Sequence, residues 1–207
     1  MYARTTTMQG DPARIDAGIA HVRDQVLPAV TAMDGCIGMS MLVDRGSGRC
    51  IATTAWDSAE ALRDSAERVR PLRDGAEQAL GSSFTDVDTW EVAVVHREHA
   101  TPDGACARVA WLSSSPDTME RAIDIFKMAV LPKLQALDGF CSASLMISRE
   151  TGRTAGTFIY DSRAQLEATR EAAGRLREAA SKERGGTIDD VAEMDVAFAH
   201  LHVPELV

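Results

Sequence analysis

One feature constrains this chain before any other: it repeats itself without a gap. Val26-Leu27-Pro28 recurs as Val130-Leu131-Pro132, and Asp34-Gly35 as Asp138-Gly139. Gly48-Arg49 recurs as Gly152-Arg153, Asp57-Ser58 as Asp161-Ser162, and Leu72-Arg73 as Leu176-Arg177. Val92-Ala93 with His96 returns as Val196-Ala197 with His200. Every pair is about 104 residues apart, and such periodicity must be read first because it decides the architecture. From Tyr2/Cys106 to His96/His200, 28 of 95 pairs are identical, and many are Gly, Pro, Asp or Ser at turns, which chance does not align. The chain is a tandem duplication, expected as a first repeat over residues 1–98, a linker over 99–105 and a second repeat over 106–207. Thr101-Pro102-Asp103-Gly104 forms the turn-rich centre of that linker.

Within each repeat the patterns give an ordered set of elements. A short strand opens it, Tyr2–Met8 or Cys106–Leu112. Pro12 or Pro116 starts a helix, where a missing N–H costs nothing. Ile15, Ile19, Val22, Val26, Val30 and Met33 share one face, as do Met119, Ile123, Phe126, Val130, Leu134 and Leu137. Gly35 and Gly139 stop the helix in a left-handed conformation, and Pro28 and Pro132 should kink or split it. Two alternating strands follow as a hairpin over Asp44–Gly48 or Ser148–Gly152. Asp57-Ser58 and Asp161-Ser162 cap a second helix, in the first repeat with a break at Pro71. A last strand ends each repeat, Trp90–His96 and Met194–His202.

The order β-α-β-β-α-β is the ferredoxin-like unit. Two such units bury the sheet faces that each leaves bare. The expected fold class is α+β, two tandem ferredoxin-like repeats forming a pseudo-dimeric α+β barrel that needs no second chain, though larger assemblies of intact barrels are open.

Composition excludes several function classes. Among 207 residues, 45% are hydrophobic and 26% charged, values of a folded domain rather than a disordered one. The net charge of -9, with no basic stripe, excludes nucleic acid as a partner. No apolar run approaches the ~20 residues of a membrane span. Cys36, Cys50, Cys106 and Cys141 form no C-x-x-C pair and read as small buried hydrophobes, which points to a reducing cytoplasm. The chain carries no G-x-S-x-G elbow, phosphate-binding loop or dinucleotide fingerprint.

The stretch from Asp34-Gly35 to Trp56-Asp57-Ser58-Ala59-Glu60-Ala61-Leu62 resembles the antibiotic-biosynthesis-monooxygenase (ABM) group of dimeric α+β barrels. Tyr160-Asp161-Ser162-Arg163-Ala164-Gln165-Leu166 is its weaker copy. The resemblance implies a cofactor-independent monooxygenase acting on a small aromatic or quinol-like molecule, with pockets between sheet and helices. The alternative is a non-catalytic barrel for ligand binding or assembly. Haem-degrading members use an Asn on strand one with Trp and His on helix two. Here strand one carries Arg4 and Thr6, or Arg108 and Ala110, and neither second helix holds Trp or His.

The matched polar residues are the site candidates. Arg4 and Arg108 sit mid-strand, and a buried guanidinium needs a partner. Glu91 and Asp195 are the expected partners, as structural ion pairs or as part of an anion clamp. His96 and His200 are the candidate general bases, though strand ends are also ordinary rim positions. The neighbouring His99 and His202 lack the spacing of a metal site, so no metal and no cofactor are expected. Trp56, Tyr160 and Trp90 are candidate ligand-lining residues, although such aromatic residues usually serve as core. Divergence at these positions predicts two unequal pockets, at most one of them active, with the first repeat favoured for its polar and indole groups.

Overall fold

The structure is a computed structural model that describes residues 1–201 and 204–206. Its strands are β1 (Tyr2–Gln9), β2 (Cys36–Val43), β3 (Arg49–Trp56), β4 (Phe84–Arg97), β5 (Cys106–Ser113), β6 (Phe140–Ile147), β7 (Arg153–Tyr160) and β8 (Thr187–Leu201). Helices α1 (Ile15–His21), α2 (Leu27–Thr31), α3 (Ala59–Asp64) and α4 (Ala66–Leu80) belong to the first repeat. Helices α5 (Met119–Ile125), α6 (Leu131–Gln135), α7 (Arg163–Ala168) and α8 (Arg170–Glu183) belong to the second. The hydrogen-bonded strand order β1-β3-β2-β8-β5-β7-β6-β4 closes into the α+β barrel of two ferredoxin-like repeats. His202, a candidate metal neighbour in the sequence, lies outside the described residues.

The chain forms two compact units, and they cut through the two long strands. One unit is Met1–Trp90 with β8 from Asp195; the other is Glu91–Met194 with the chain from Pro204. In the first, β1 and β2 flank β3 antiparallel, and β2 also pairs with β8 from Val43↔Asp195 to Gly38↔Leu201. In the second, β5 and β6 flank β7, and β6 pairs with β4 from Ile147↔Glu91 to Ser142↔Arg97. Each long-strand pairing contains a bulge, at Val92/Val94 on β4 and opposite Met41/Leu42 on β8. A bulge turns the following side chains and sharpens the local twist.

The helical stripes pack as their periodicity requires. Ile15, Val22, Val30 and Leu62 join Met41, Trp56 and Leu80 in the first core. Met119, Phe126, Leu134 and Leu166 join Leu145 and Tyr160 in the second. Pro28 and Pro132 act through the turn before them. The backbone widens to a π turn over Val22–Val26 and Phe126–Val130, where the Leu27 and Leu131 amides reach back to the Val22 and Phe126 carbonyls. Proline then occupies an opening position of α2 and α6, where its missing N–H is harmless. Pro71 does not break its helix: α4 runs unbroken through it. The break falls at Ser65, between α3 and α4, and the carbonyl that Pro71 leaves without a donor is that of exposed Glu67.

Candidate functional site

The two mid-strand arginines are held by the same architecture. Arg4 Nη1 donates to Ser65 Oγ at 3.0 Å, and its Nη2 donates to the Leu62 carbonyl. Arg108 Nη1 donates to Thr169 Oγ1 at 3.3 Å, and its Nη2 to the Leu166 carbonyl at 2.7 Å. Ser65 and Thr169 stand at the break between the two parts of the second helix. The break leaves C-terminal carbonyls free, and their dipole end favours a cation. Arg4 lies 6.0 Å over the Trp56 ring and Arg108 5.6 Å over Tyr160. The sequence reading missed the two hydroxyls, although Ser65 and Thr169 match across the repeat.

The expected acid partners are corrected by the structure. Arg108 pairs with Glu193, not Asp195, with Nη2 2.9 Å and Nε 3.1 Å from Oε1. Glu193 also takes Arg170, and these two guanidiniums, Arg170 first, hold its carboxyl below the ordinary range. The first repeat has Thr89 and Ala66 at the positions of Glu193 and Arg170. Arg4 therefore has no carboxylate partner among the described residues. Burial, then Arg73, lowers its proton affinity. Glu91 pairs with Arg149 and Asp195 stands 3.8 Å from Arg45. The physical reason is position: from residues 91 and 195 onward, the long strands already pair with β6 and β2.

Each unit holds a cavity between its sheet and helices. The second unit's encloses about 660 Å³, mouth included, and the first unit's about 410 Å³. Sequence divergence favoured the first repeat as the ligand site, whereas the roomier cavity lies in the second unit. Phe126 and Phe158 wall the larger cavity without filling it. Space comes from Ala110, Gly156 and Ala173, where the first repeat has Thr6, Ala52 and Val69. Leu80 is fully buried against Gly18 in the first unit, and Arg184 replaces it in the second. The polar residues of the larger cavity are Arg108, Thr154, Arg177 and Arg184.

The other sequence candidates lie elsewhere. Trp56 Nε1 donates to Thr54 Oγ1 and Trp90 Nε1 to Thr5 Oγ1, and both rings are buried. Neither these rings nor Tyr160 is among the residues lining the two cavities. His96 stacks on Phe140 and contacts Glu98 and Gln135, away from both cavities. His200 is exposed on β8 opposite Met39. His99, Cys141 and Asp161 converge with ligand atoms within 4.8 Å, His99 Nε2 lying 3.4 Å from Asp161. Burial pushes the Cys141 thiol up, and Cys50 to about 11, so both thiols are protonated at neutral pH.

The family model for antibiotic biosynthesis monooxygenase matches residues 1–84. The uncharacterized Mycobacterium tuberculosis protein Rv2557 is 47% identical over 207 residues, spanning all of this chain and 92% of that protein. Rv2558 of the same organism is 48% identical over 208 residues, spanning all of this chain and 88% of its own. The chain belongs to one family with these two proteins, and its first repeat carries an ABM domain. Solved structures share the ABM-like fold at low identity. A candidate monooxygenase from Lactobacillus acidophilus aligns with a TM-score of 0.68 at 8% identity, covering 97% of this chain and 96% of its own. An anthrone oxidase-like protein aligns at 0.67 and 15% identity, covering 100% and 94%. A heme-degrading enzyme from Listeria monocytogenes aligns at 0.56 and 8% identity, covering 94% and 99%. Among the described residues no helix is long and apolar enough to cross a membrane.

Proposed function

We propose that this ABM-family chain oxidises a small aromatic or quinol-like molecule with molecular oxygen and without a cofactor, in the cavity of its second unit. The observation that carries the reading is that cavity: it is roomier than its counterpart in the first unit, and its walls are apolar and aromatic with a few guanidinium groups among them. Among the described residues no imidazole, carboxylate or thiol lines it. A substrate there must supply its own acidity, ionising to an enolate or phenolate that guanidinium groups stabilise. Such an anion gives one electron to oxygen. The resulting radical and superoxide combine into a peroxide, which loses water to leave a carbonyl.

Anthrone serves as a probe, since one of the fold neighbours is an anthrone oxidase-like protein. One anthrone and one oxygen molecule give one anthraquinone and one water. An oxygen electrode with product absorbance should show equimolar uptake and quinone formation above the uncatalysed rate. Ala173→Leu, which narrows the cavity, should return the rate to background. Binding without oxygen uptake would overturn catalysis and favour a non-catalytic ligand-binding barrel, a reading that the missing base independently supports. Among the described residues Cys36, Cys50 and Cys141 form no disulfide, which fits a cytoplasmic setting for either role.

A further inference from the structure

Arg184 is the side chain that the fold least explains. It sits at the C-terminal cap of α8, before Gly185, and is only 7% exposed. Its Nη1 donates to Thr154 Oγ1 at 3.1 Å. Its Nε and Nη2 are buried without a hydrogen-bond partner among the described residues. Buried charged donors normally find partners, because leaving them dry forfeits hydration with nothing in return.

The surrounding charges do not supply one. Asp189 is the acid whose field reaches Arg184, but its carboxylate oxygens are taken by Ser113 Oγ and Thr187 Oγ1. Glu193 is committed to Arg108 and Arg170. Arg177, also lining the cavity, has a buried Nε without a partner. Its neighbouring charges are Arg108, Glu178 and Glu193. Two guanidiniums thus border one apolar cavity without a carboxylate among the described residues hydrogen-bonded to either, in a chain of net charge -9. Gly186 lets the chain pass close to Arg184, since a Cβ there would stand 2.8 Å from Nε.

We propose that the second unit's cavity is a carboxylate site, taking an aromatic monocarboxylate whose ring lies against Phe126 and Phe158 and whose head binds Arg184. The two unpartnered nitrogens, Nε and Nη2, form one edge of the planar guanidinium. That edge matches the two oxygens of a carboxylate, which accepts both N–H bonds in parallel. Arg177 lines the same cavity and adds a second positive charge to it. The first unit has no counterpart, because Leu80 fills the position and Arg4 is spent on Ser65 and Leu62. The stoichiometry is therefore one anion per chain. This rests on reading the cavity as a ligand site and is independent of whether oxidation occurs.

The test compares 2-naphthoate with its neutral isostere 2-naphthamide by titration calorimetry. Naphthoate should bind once per chain and more tightly than the amide, which needs no variant to establish. Arg184→Leu, which installs the first repeat's residue, should weaken naphthoate by roughly tenfold or more and leave the amide unchanged. Ala173→Leu should weaken both. Equal affinities for the two probes, or naphthoate binding indifferent to Arg184→Leu, would overturn the carboxylate assignment. If Ala173→Leu still weakened both probes, the cavity reading would survive that result. Binding of neither probe would overturn both.

Discussion

The two buried arginines show how a one-residue difference in partner changes what a repeat can do. Arg4 and Arg108 share a hydroxyl, a helix-end carbonyl and an aromatic face, yet only Arg108 is neutralised by a carboxylate. Arg108 is 2% exposed, so its pairing with Glu193 is desolvated and truncating one partner leaves a buried charge. Glu193→Gln should cost about 3–5 kcal/mol at neutral pH, read as a lowered midpoint in urea unfolding. The sign of its pH dependence follows from the depressed carboxyl. Its contribution is complete above the unfolded carboxylate range and is lost as pH falls through the lower folded value. The gap between parent and variant should therefore close in acid. Equal midpoints at pH 7 would show that Thr169 and Leu166 alone hold Arg108. The spacing of the repeat placed these arginines correctly, but Glu193 has only Thr89 as its match, so no pairing of repeated residues pointed to it.

At the scale of elements, the turns are tied down by backbone contacts that the sequence only hints at. Gly48 has φ +82° and Gly152 φ +73°, a region that favours glycine. A Cβ at Gly48 would stand 2.1 Å from the Gly10 carbonyl, and at Gly152 1.9 Å from that of Ser114. Gly10 N–H bonds Gly48 O, and Ser114 N–H bonds Gly152 O, locking each hairpin turn to the end of the opening strand. Gly152→Ala should cost about 2–3 kcal/mol, as strain and a backbone clash add. Gly104 offers the control: its φ is +80° but nothing lies within 4 Å of its Cβ position. Gly104→Ala should cost about 1 kcal/mol, from strain alone. Equal losses at Gly104 and Gly152, measured by the same urea unfolding, would remove the close approach from the account. Element order was legible because apolar period, capping Ser58 and Ser162, and stop residues Gly35 and Gly139 are local signals. The break at Ser65 rather than Pro71 was not legible, since it depends on what Glu67 faces.

At the scale of the whole molecule, neither repeat contains all of its own unit. The first unit pairs β2 with β8 from Asp195, and the second pairs β6 with β4 from Glu91. A fragment ending at Asp103 would leave β2 without its β8 neighbour, an exposed edge that invites association. Each fragment alone should be aggregated or unfolded, while residues 1–103 and 104–207 expressed together should give a folded pair. The intact chain should elute at the mass of one copy. Circular dichroism and light scattering check both statements, and a stable monomeric 1–103 fragment would refute them. The long strands were predicted as elements, but their division between units was not visible. It arises at Glu91 and Asp195, just before the bulges, where pairing passes to a strand of the other repeat.

The amino-acid sequence by itself determined the duplication, the βαββαβ order and the matched Arg4 and Arg108, because period, turn chemistry and capping act over a few residues. Only the tertiary structure decided that Glu193 is the partner of Arg108, that Arg184 is buried, and that the second unit holds the roomier cavity. Ion pairing depends on which strand position faces a given side chain, and cavity volume is a small difference between large packed volumes. Val69 against Ala173 and Leu80 against Arg184 look like minor changes along the chain, yet several such changes converge on one space in the fold.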